Sequence, residues 1–306
     1  HLESLSALQY QNFLTNAFLF AGGIVLNGLG WAFDVIAAYH IANEEKDFVI
    51  YKYGLQKNLS EADEARLIEY IRKLELQEDA YVIDDLELSC LTYLRSFPFG
   101  DYSAEVEFYL SSLYYQQGED VAALLHAARG VFLYPHNQFR AALQRLGVTL
   151  IEENRDRWES DLDILYKLAR MSAEGDETKN AEQQFYFFLE AFDDVQHEDF
   201  YHMYIEEARR FLTLFPDTQH GDDVLFSLGR HYAEEEAWND AVVAYVQTAA
   251  LYPDSELWAE AVFRTARIFH EELGRWKYAE RYYQRLVSER PESSPAQKAE
   301  DILRNR

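Results

Sequence analysis

The chain has one cysteine, Cys90, in 306 residues. One cysteine cannot close an intramolecular disulfide or supply a cysteine-based metal cluster. It lies in Leu88-Ser-Cys-Leu-Thr-Tyr-Leu94, an apolar helical stretch, which predicts a small buried hydrophobe. Proline and glycine are also scarce, at 6 and 13 residues. That scarcity fits long helices with short connections better than a turn-rich sheet protein. Positive charge is in the minority, with 28 Lys and Arg against 54 Asp and Glu and only 8 of the cations lysine. The net charge of −26 would repel a phosphate backbone, which argues against nucleic acid as a partner.

Signatures of chemistry are missing as well. There is no Gly-x-Ser-x-Gly, no His-Glu-x-x-His and no P-loop. Gly28-Leu-Gly30 lacks the third glycine of a dinucleotide fingerprint and follows no convincing strand. The densest potential ligand group is His197-Glu-Asp-Phe-Tyr-His202. Its histidines are five apart, poor spacing for one helical face, so it reads as a solvated helix start. Asp193-Asp194 and Glu234-Glu-Glu236 read as solvated turns. The expectation is a protein that is not an enzyme, with no catalytic residues, cofactor or metal.

Hydrophobic residues make up 48% of the chain, and 22 Tyr, 20 Phe and 5 Trp supply bulk for a core. The length exceeds one compact helical bundle and suits an elongated repeat domain or two smaller domains. Acidity is uneven. Residues 1–256 hold 46 acidic and 18 basic side chains, whereas residues 257–306 hold 8 and 10. A solvated acidic surface accounts for this, as would a saline habitat. The functional alternatives are a basic partner or head-to-tail self-association through the C-terminal end.

Self-similarity is the strongest signal. Prolines follow aromatic-rich segments at Phe97-Pro98, Tyr134-Pro135, Phe215-Pro216 and Tyr252-Pro253, and another stands at Arg290-Pro291. The intervals are 37, 81, 37 and 38 residues, and 81 is about two units with one proline missing. A proline just past a helix end stops that helix. Three units superpose. Leu228-Gly229, Tyr232, Ala241 and Tyr245 precede Pro253; Ala266, Phe269, Ala279 and Tyr283 precede Pro291, with one extra residue in the turn. Leu110, Tyr114, Gly118 and Ala123 precede Pro135. Small residues at Gly229, Ala241 and Ala279 let helix axes approach, and the aromatic rings fill the remaining volume. Weaker units cover 62–98, with helices near 62–77 and 80–97, then 138–173 and 178–216.

These spacings resemble the tetratricopeptide repeat (TPR), a helix pair repeated at about 34 residues. Leu251-Tyr-Pro-Asp-Ser255 and Leu214-Phe-Pro-Asp217 are similar in style to the repeats of bacterial outer-membrane-assembly lipoproteins and periplasmic cell-division coordinators. The resemblance covers roughly residues 100–135 and 214–303. It implies an all-α, TPR-like α-solenoid of about six helical hairpins over 61–294, with a C-terminal capping helix over 295–306. It also implies a protein-binding scaffold or adaptor in the bacterial periplasm or cell envelope, with a cytoplasmic location as the alternative. A structural subunit of a self-assembling or membrane-associated complex is the competing reading.

Residues 1–60 depart from the repeats. Their apolar part, 17–42, includes Phe18, Phe20, Ile24, Leu26, Trp31 and Phe33, but glycines interrupt it and Asn27 and Asp34 lie inside it. Two helices near 3–21 and 31–44 are expected as an apolar hairpin. It would cap the first repeat, contact a membrane or dock another protein. The chain opens on His1-Leu-Glu-Ser, which fits either a mature chain after signal cleavage or a trimmed one.

In TPR arrays the first helix of each pair lines the concave surface. Fifth positions in the three best repeats are Phe108, Phe226 and Phe263, and ninth positions are Ser112, Arg230 and Arg267. An aromatic row flanked by arginine would anchor a partner protein's peptide or helix. The alternative is that the row is core between repeats.

Overall fold

The computed structural model describes residues 59–77, 80–170 and 180–305. The expected N-terminal hairpin, including Phe18, Phe20, Ile24, Leu26, Trp31 and Phe33, lies outside the described residues. Thirteen α-helices and no strand occur among the described residues. Nearly all pack against the next in sequence, the pattern of an all-α repeat protein. The chain divides into two compact units, the first ending at Gln117 and the second beginning at Gly118. The predicted repeat ending at Pro135 is therefore shared, one helix to each unit.

In the first unit the helices are α1 (Glu61–Glu75), α2 (Ala80–Ser96) and α3 (Ser103–Gln117). Ser60 starts α1, where the Asp63 carboxylate accepts from both the Ser60 N–H and its hydroxyl at 2.7 Å. Leu67, Ile68, Ile71 and Leu74 recur at helical spacing and bury against Leu86, Cys90 and Leu94 of α2 and Val106 and Leu110 of α3. Cys90 is fully buried, and burial pushes its thiol well above the usual range. Arg72 of α1 grips Glu105 of α3 through two 2.6 Å bonds, and the Tyr109 hydroxyl donates to the same carboxylate at 2.8 Å.

The second unit holds α4 (Asp120–Phe132), α5 (Arg140–Glu153), α6 (Leu162–Arg170), α7 (Ala181–Asp193), α8 (Tyr201–Leu214), α9 (Gly221–Glu234) and α10 (Trp238–Leu251). It ends with α11 (Trp258–Arg267), α12 (Trp276–Glu289) and α13 (Ser294–Arg304). Pro135, Pro216, Pro253 and Pro291 fall two or three residues beyond α4, α8, α10 and α12, as the repeats require. Helix crossings are close where side chains are small. A Cβ built on Gly229 of α9 would stand 2.7 Å from the Tyr245 ring of α10, and Ala241 and Ala279 are fully buried. On α13, Ala296 and Ala299 bury against α12, while the Ser293 hydroxyl accepts from the Ala296 N–H at 3.3 Å.

The turns explain the irregular spacing. The α9–α10 turn places Glu236 at φ +57°, and the α11–α12 turn places Gly274 at φ +62°. These positions are equivalent but 38 residues apart, one more than the repeat interval. The extra residue is absorbed by a π-turn at Ile268–Glu272, which widens the end of α11 before the chain reverses.

Candidate protein-docking face

Helices α7, α9 and α11 present equivalent positions at an interval of 37 residues. One column is Tyr186, Asp223 and Glu260; the next is Leu189, Phe226 and Phe263; a third is Asp193, Arg230 and Arg267. A constant interval keeps each column on the same helical face. The columns therefore recur at matching places on these three helices.

Aromatic rings floor this surface. The Tyr186 ring stacks on His220 at 3.7 Å, and its hydroxyl stands 3.3 Å from Asp223. Phe226 is half-buried, 5.3 Å from the Tyr245 ring, with the Arg264 guanidinium 5.4 Å from its centroid. Between them α7 and α9 border an open cavity of about 230 Å³, which Tyr204 of α8 and Leu257 at the start of α11 also line. Tyr186, Glu190, Asp193, Asp223 and Phe226 are among its walls.

Asp193 ties α7 to α9. Its Oδ1 accepts from Arg230 at 2.6 Å and from His231 Nε2 at 2.9 Å, and its Oδ2 accepts from the Ser227 hydroxyl at 3.0 Å. Its backbone carbonyl takes a further bond from Arg230 at 3.1 Å. Burial pushes the Asp193 carboxyl upward, but the His231 bond and the Arg230 charge outweigh it and hold the group below the usual carboxylate range. Burial lowers the His231 imidazole more than the Asp193 bond raises it. The ring is thus neutral, with its Nε2–H donating, and it stacks on Tyr204 at 3.9 Å. The expected solvated turn at Asp193-Asp194 is corrected: the Asp193 side chain is only 24% exposed and belongs to a network. The readable signal was Arg230, a cation one repeat interval further on.

The remaining predicted site residues divide between the two units. Phe263 is buried against Tyr283 at 5.9 Å, so its ring belongs to the core of the last hairpin. Arg267 is exposed and pairs with Glu271 at 2.5 Å on its own helical stretch. Phe108 and Ser112 lie half-buried on α3 of the first unit, with the Phe108 ring 6.1 Å from Tyr109. The structure thus brings Phe226 and Arg230 together with the α7 residues.

Several carboxylates near the cavity lack a cationic side chain beside them. Glu190, Asp222 and Asp223 make no ion pair with Lys or Arg among the described residues. Partial burial and the neighbouring Asp222 charge push the Asp223 carboxyl above its usual range, which the Tyr186 bond offsets only in part. At the α11 end, Arg264 and Arg267 are neutralised by Glu260 and Glu271.

No group of three His, Cys, Asp or Glu residues among the described residues could hold a metal ion. His197 caps a short 3₁₀ turn by accepting from the Asp199 N–H at 3.3 Å, and His202 stands 3.7 Å from Glu235. No helix among the described residues is long and apolar enough to cross a membrane.

Residues 260–293 match the family model of the tetratricopeptide repeat. That segment is α11, the π-turn and α12, with its closing proline. The chain thus carries a tetratricopeptide repeat within an all-helical repeat-like fold, a repeat type that generally mediates protein binding. No curated protein matches the chain.

Proposed function

We propose that the chain is a non-catalytic protein–protein interaction scaffold, and that the α7–α9–α11 face docks a partner segment carrying basic and apolar side chains. The supporting observation is the α7–α9 cavity, walled by Tyr186 and Phe226 and by Glu190 and Asp223, neither of which pairs with Lys or Arg among the described residues. Carboxylates without a Lys or Arg partner beside an aromatic floor favour a cationic side chain with an apolar stem, and they repel an acidic one. The chain's net charge of −26 reinforces that preference at long range.

A photo-crosslinking residue placed at Phe226, or separately at Val243, tests the reading. Val243 is 54% exposed on α10, the second helix of the same hairpin. Protein crosslinks from position 226 that are absent at 243 support the docking face. Equal crosslinking at both, or crosslinks only at 243, would sink it. A cell-envelope location is a separate part of the proposal, supported by the Pro-Asp-Ser style of the repeat junctions. Cell fractionation with an antibody to the native chain tests it, and recovery only with cytoplasmic markers refutes it.

A further inference from the structure

Helix α12 turns an unusual stripe outward. Ala279, Tyr283 and Leu286 are its buried side. At 100° per residue the opposite side carries Lys277, Arg281 and Gln284, all exposed. Four arginines of this region are answered one helical turn away: Arg264 by Glu260, Arg267 by Glu271, Arg285 by Glu289 and Arg304 by Glu300. Arg281 is not. Its neighbours four residues away are Lys277 and Arg285, a like-charge row that disfavours the isolated helix. Lys277 and Arg281 pair with no carboxylate among the described residues.

An aromatic platform lies beside this row. Tyr278 is 52% exposed and stacks on Phe269 at 5.5 Å, and Phe269 stacks in turn on Tyr282 at 5.7 Å. The stacking holds Tyr278 in place, so little side-chain freedom is lost on docking. An ordered exposed ring edged by unanswered cations is the complement of the α7–α9 cavity.

We infer that the α12 stripe docks into the α7–α9 cavity of a second copy of this chain, with Lys277 and Arg281 facing Glu190 and Asp223 and the Tyr278 ring against the aromatic floor. The inference rests on reading that cavity as a docking face. Both patches lie in the second unit, on different helices, so the contact joins unlike surfaces and does not close on itself by two-fold symmetry. Repulsion between two strongly acidic chains opposes it at low salt. At physiological ionic strength the Debye length falls to about 8 Å, which screens that repulsion while sparing charges in direct contact. Association is therefore greatest at intermediate salt and weaker on either side.

Sedimentation equilibrium of the full chain at high protein concentration provides the test. The wild type is expected to exceed monomer mass, most at intermediate salt. Lys277→Glu with Arg281→Glu should be monomeric, as should Glu190→Gln with Asp223→Asn, with helical circular dichroism unchanged in both. Mixing the two variants leaves one intact α12 stripe and one intact cavity, so dimers should return and nothing larger should form. A wild type that is monomeric at every salt overturns the inference, as does association that survives in either variant. So does association of wild type that strengthens steadily with salt. If Phe226 still crosslinks a different protein while the wild type stays monomeric, only the self-association falls. If the α12 variant instead loses binding to vesicles of anionic lipid that the wild type binds, and the wild type does not self-associate, the stripe is a membrane contact.

Discussion

Replacing Asp193 with alanine removes three side-chain hydrogen bonds at once, to Arg230, His231 and Ser227. Each bond to a charged group contributes on the order of 1.5–3 kcal/mol, but the three share one carboxylate and do not add. His231 is 1% exposed, so its Nε2–H would be left without a partner in a dry site. Arg230 is 29% exposed, and water recovers part of its loss. The expected net cost is about 2–4 kcal/mol, below the full penalty for breaking a deeply buried pair. Arg230→Ala leaves Asp193 two partners and should cost only about 1 kcal/mol. The double variant should then cost less than the sum, with a coupling of about 1–2 kcal/mol.

Tryptophan fluorescence during urea unfolding reads this out. Trp158, Trp238, Trp258 and Trp276, four of the five tryptophans, lie in the second unit. The midpoint should fall with the slope unchanged. In a thermal scan, each kcal/mol corresponds to about 2–4 °C for a unit of this size. A cost below about 1 kcal/mol for Asp193→Ala, or additivity with Arg230→Ala within about 0.5 kcal/mol, would refute the account of Asp193 as the tie between α7 and α9.

Glu236 holds a left-handed conformation that Gly274 adopts at the equivalent turn. Glu236→Gly should raise unfolding stability by about 0.5–1 kcal/mol, measured by denaturant midpoint, and a loss would contradict the turn assignment. The reverse test is Gly274→Ala, expected to cost about 1 kcal/mol in the same assay. Arg129 of α4 and Glu207 of α8 form an ion pair at 3.3 Å with both side chains under a tenth exposed. Arg129→Met should cost about 2–3 kcal/mol, less than for a fully uncompensated charge, because it leaves buried Glu207 with Arg210 at the longer distance of 3.9 Å, and restoration by adding Glu207→Met would identify that charge as the cause. Folded His231 and Asp193 both titrate below their ordinary values of 6.5 and 3.8. Each group's contribution is complete above its unfolded value and is lost as pH falls through the folded one. Stability of the second unit should therefore decline as pH drops below about 6.5 and again below about 4, with His231→Phe removing the first step. A profile still falling near pH 6 in that variant would assign the first step elsewhere.

The hairpins were legible because their cause is local and repeated. A proline after an apolar helix, and Gly229, Ala241 or Ala279 opposite a large ring, mean the same thing wherever they occur. The extra residue between Phe269 and Ala279 was visible as a spacing, but its absorption into a π-turn was not. Spacing counts residues and does not say which hydrogen bonds widen. Asp193 was misread because an acidic pair beside a helix end is usually solvated. Only Arg230, 37 residues later, reveals its partner. Arg129 and Glu207 are 78 residues apart, more than two repeat intervals, and no periodic pattern marks them.

The same periodicity bounds what a candidate site can be. A fixed interval places each column on one face but leaves the depth of each member undecided. Phe226 and Phe263 occupy equivalent positions, yet Phe226 remains half-buried while Phe263 is only 7% exposed. The Lys298 ammonium lies 5.9 Å over the Phe263 ring, and Lys298 belongs to the terminal helix α13. A helix that closes an array contacts the last repeat and not those before it. Covering of the last column is thus a property of position in the array. Open docking positions are then expected in the interior hairpins, where equivalent residues have no terminal helix to cover them. Asp193 and Arg230 fit that expectation, joined across α7 and α9 at the edge of the one cavity that both Tyr186 and Phe226 line among those described.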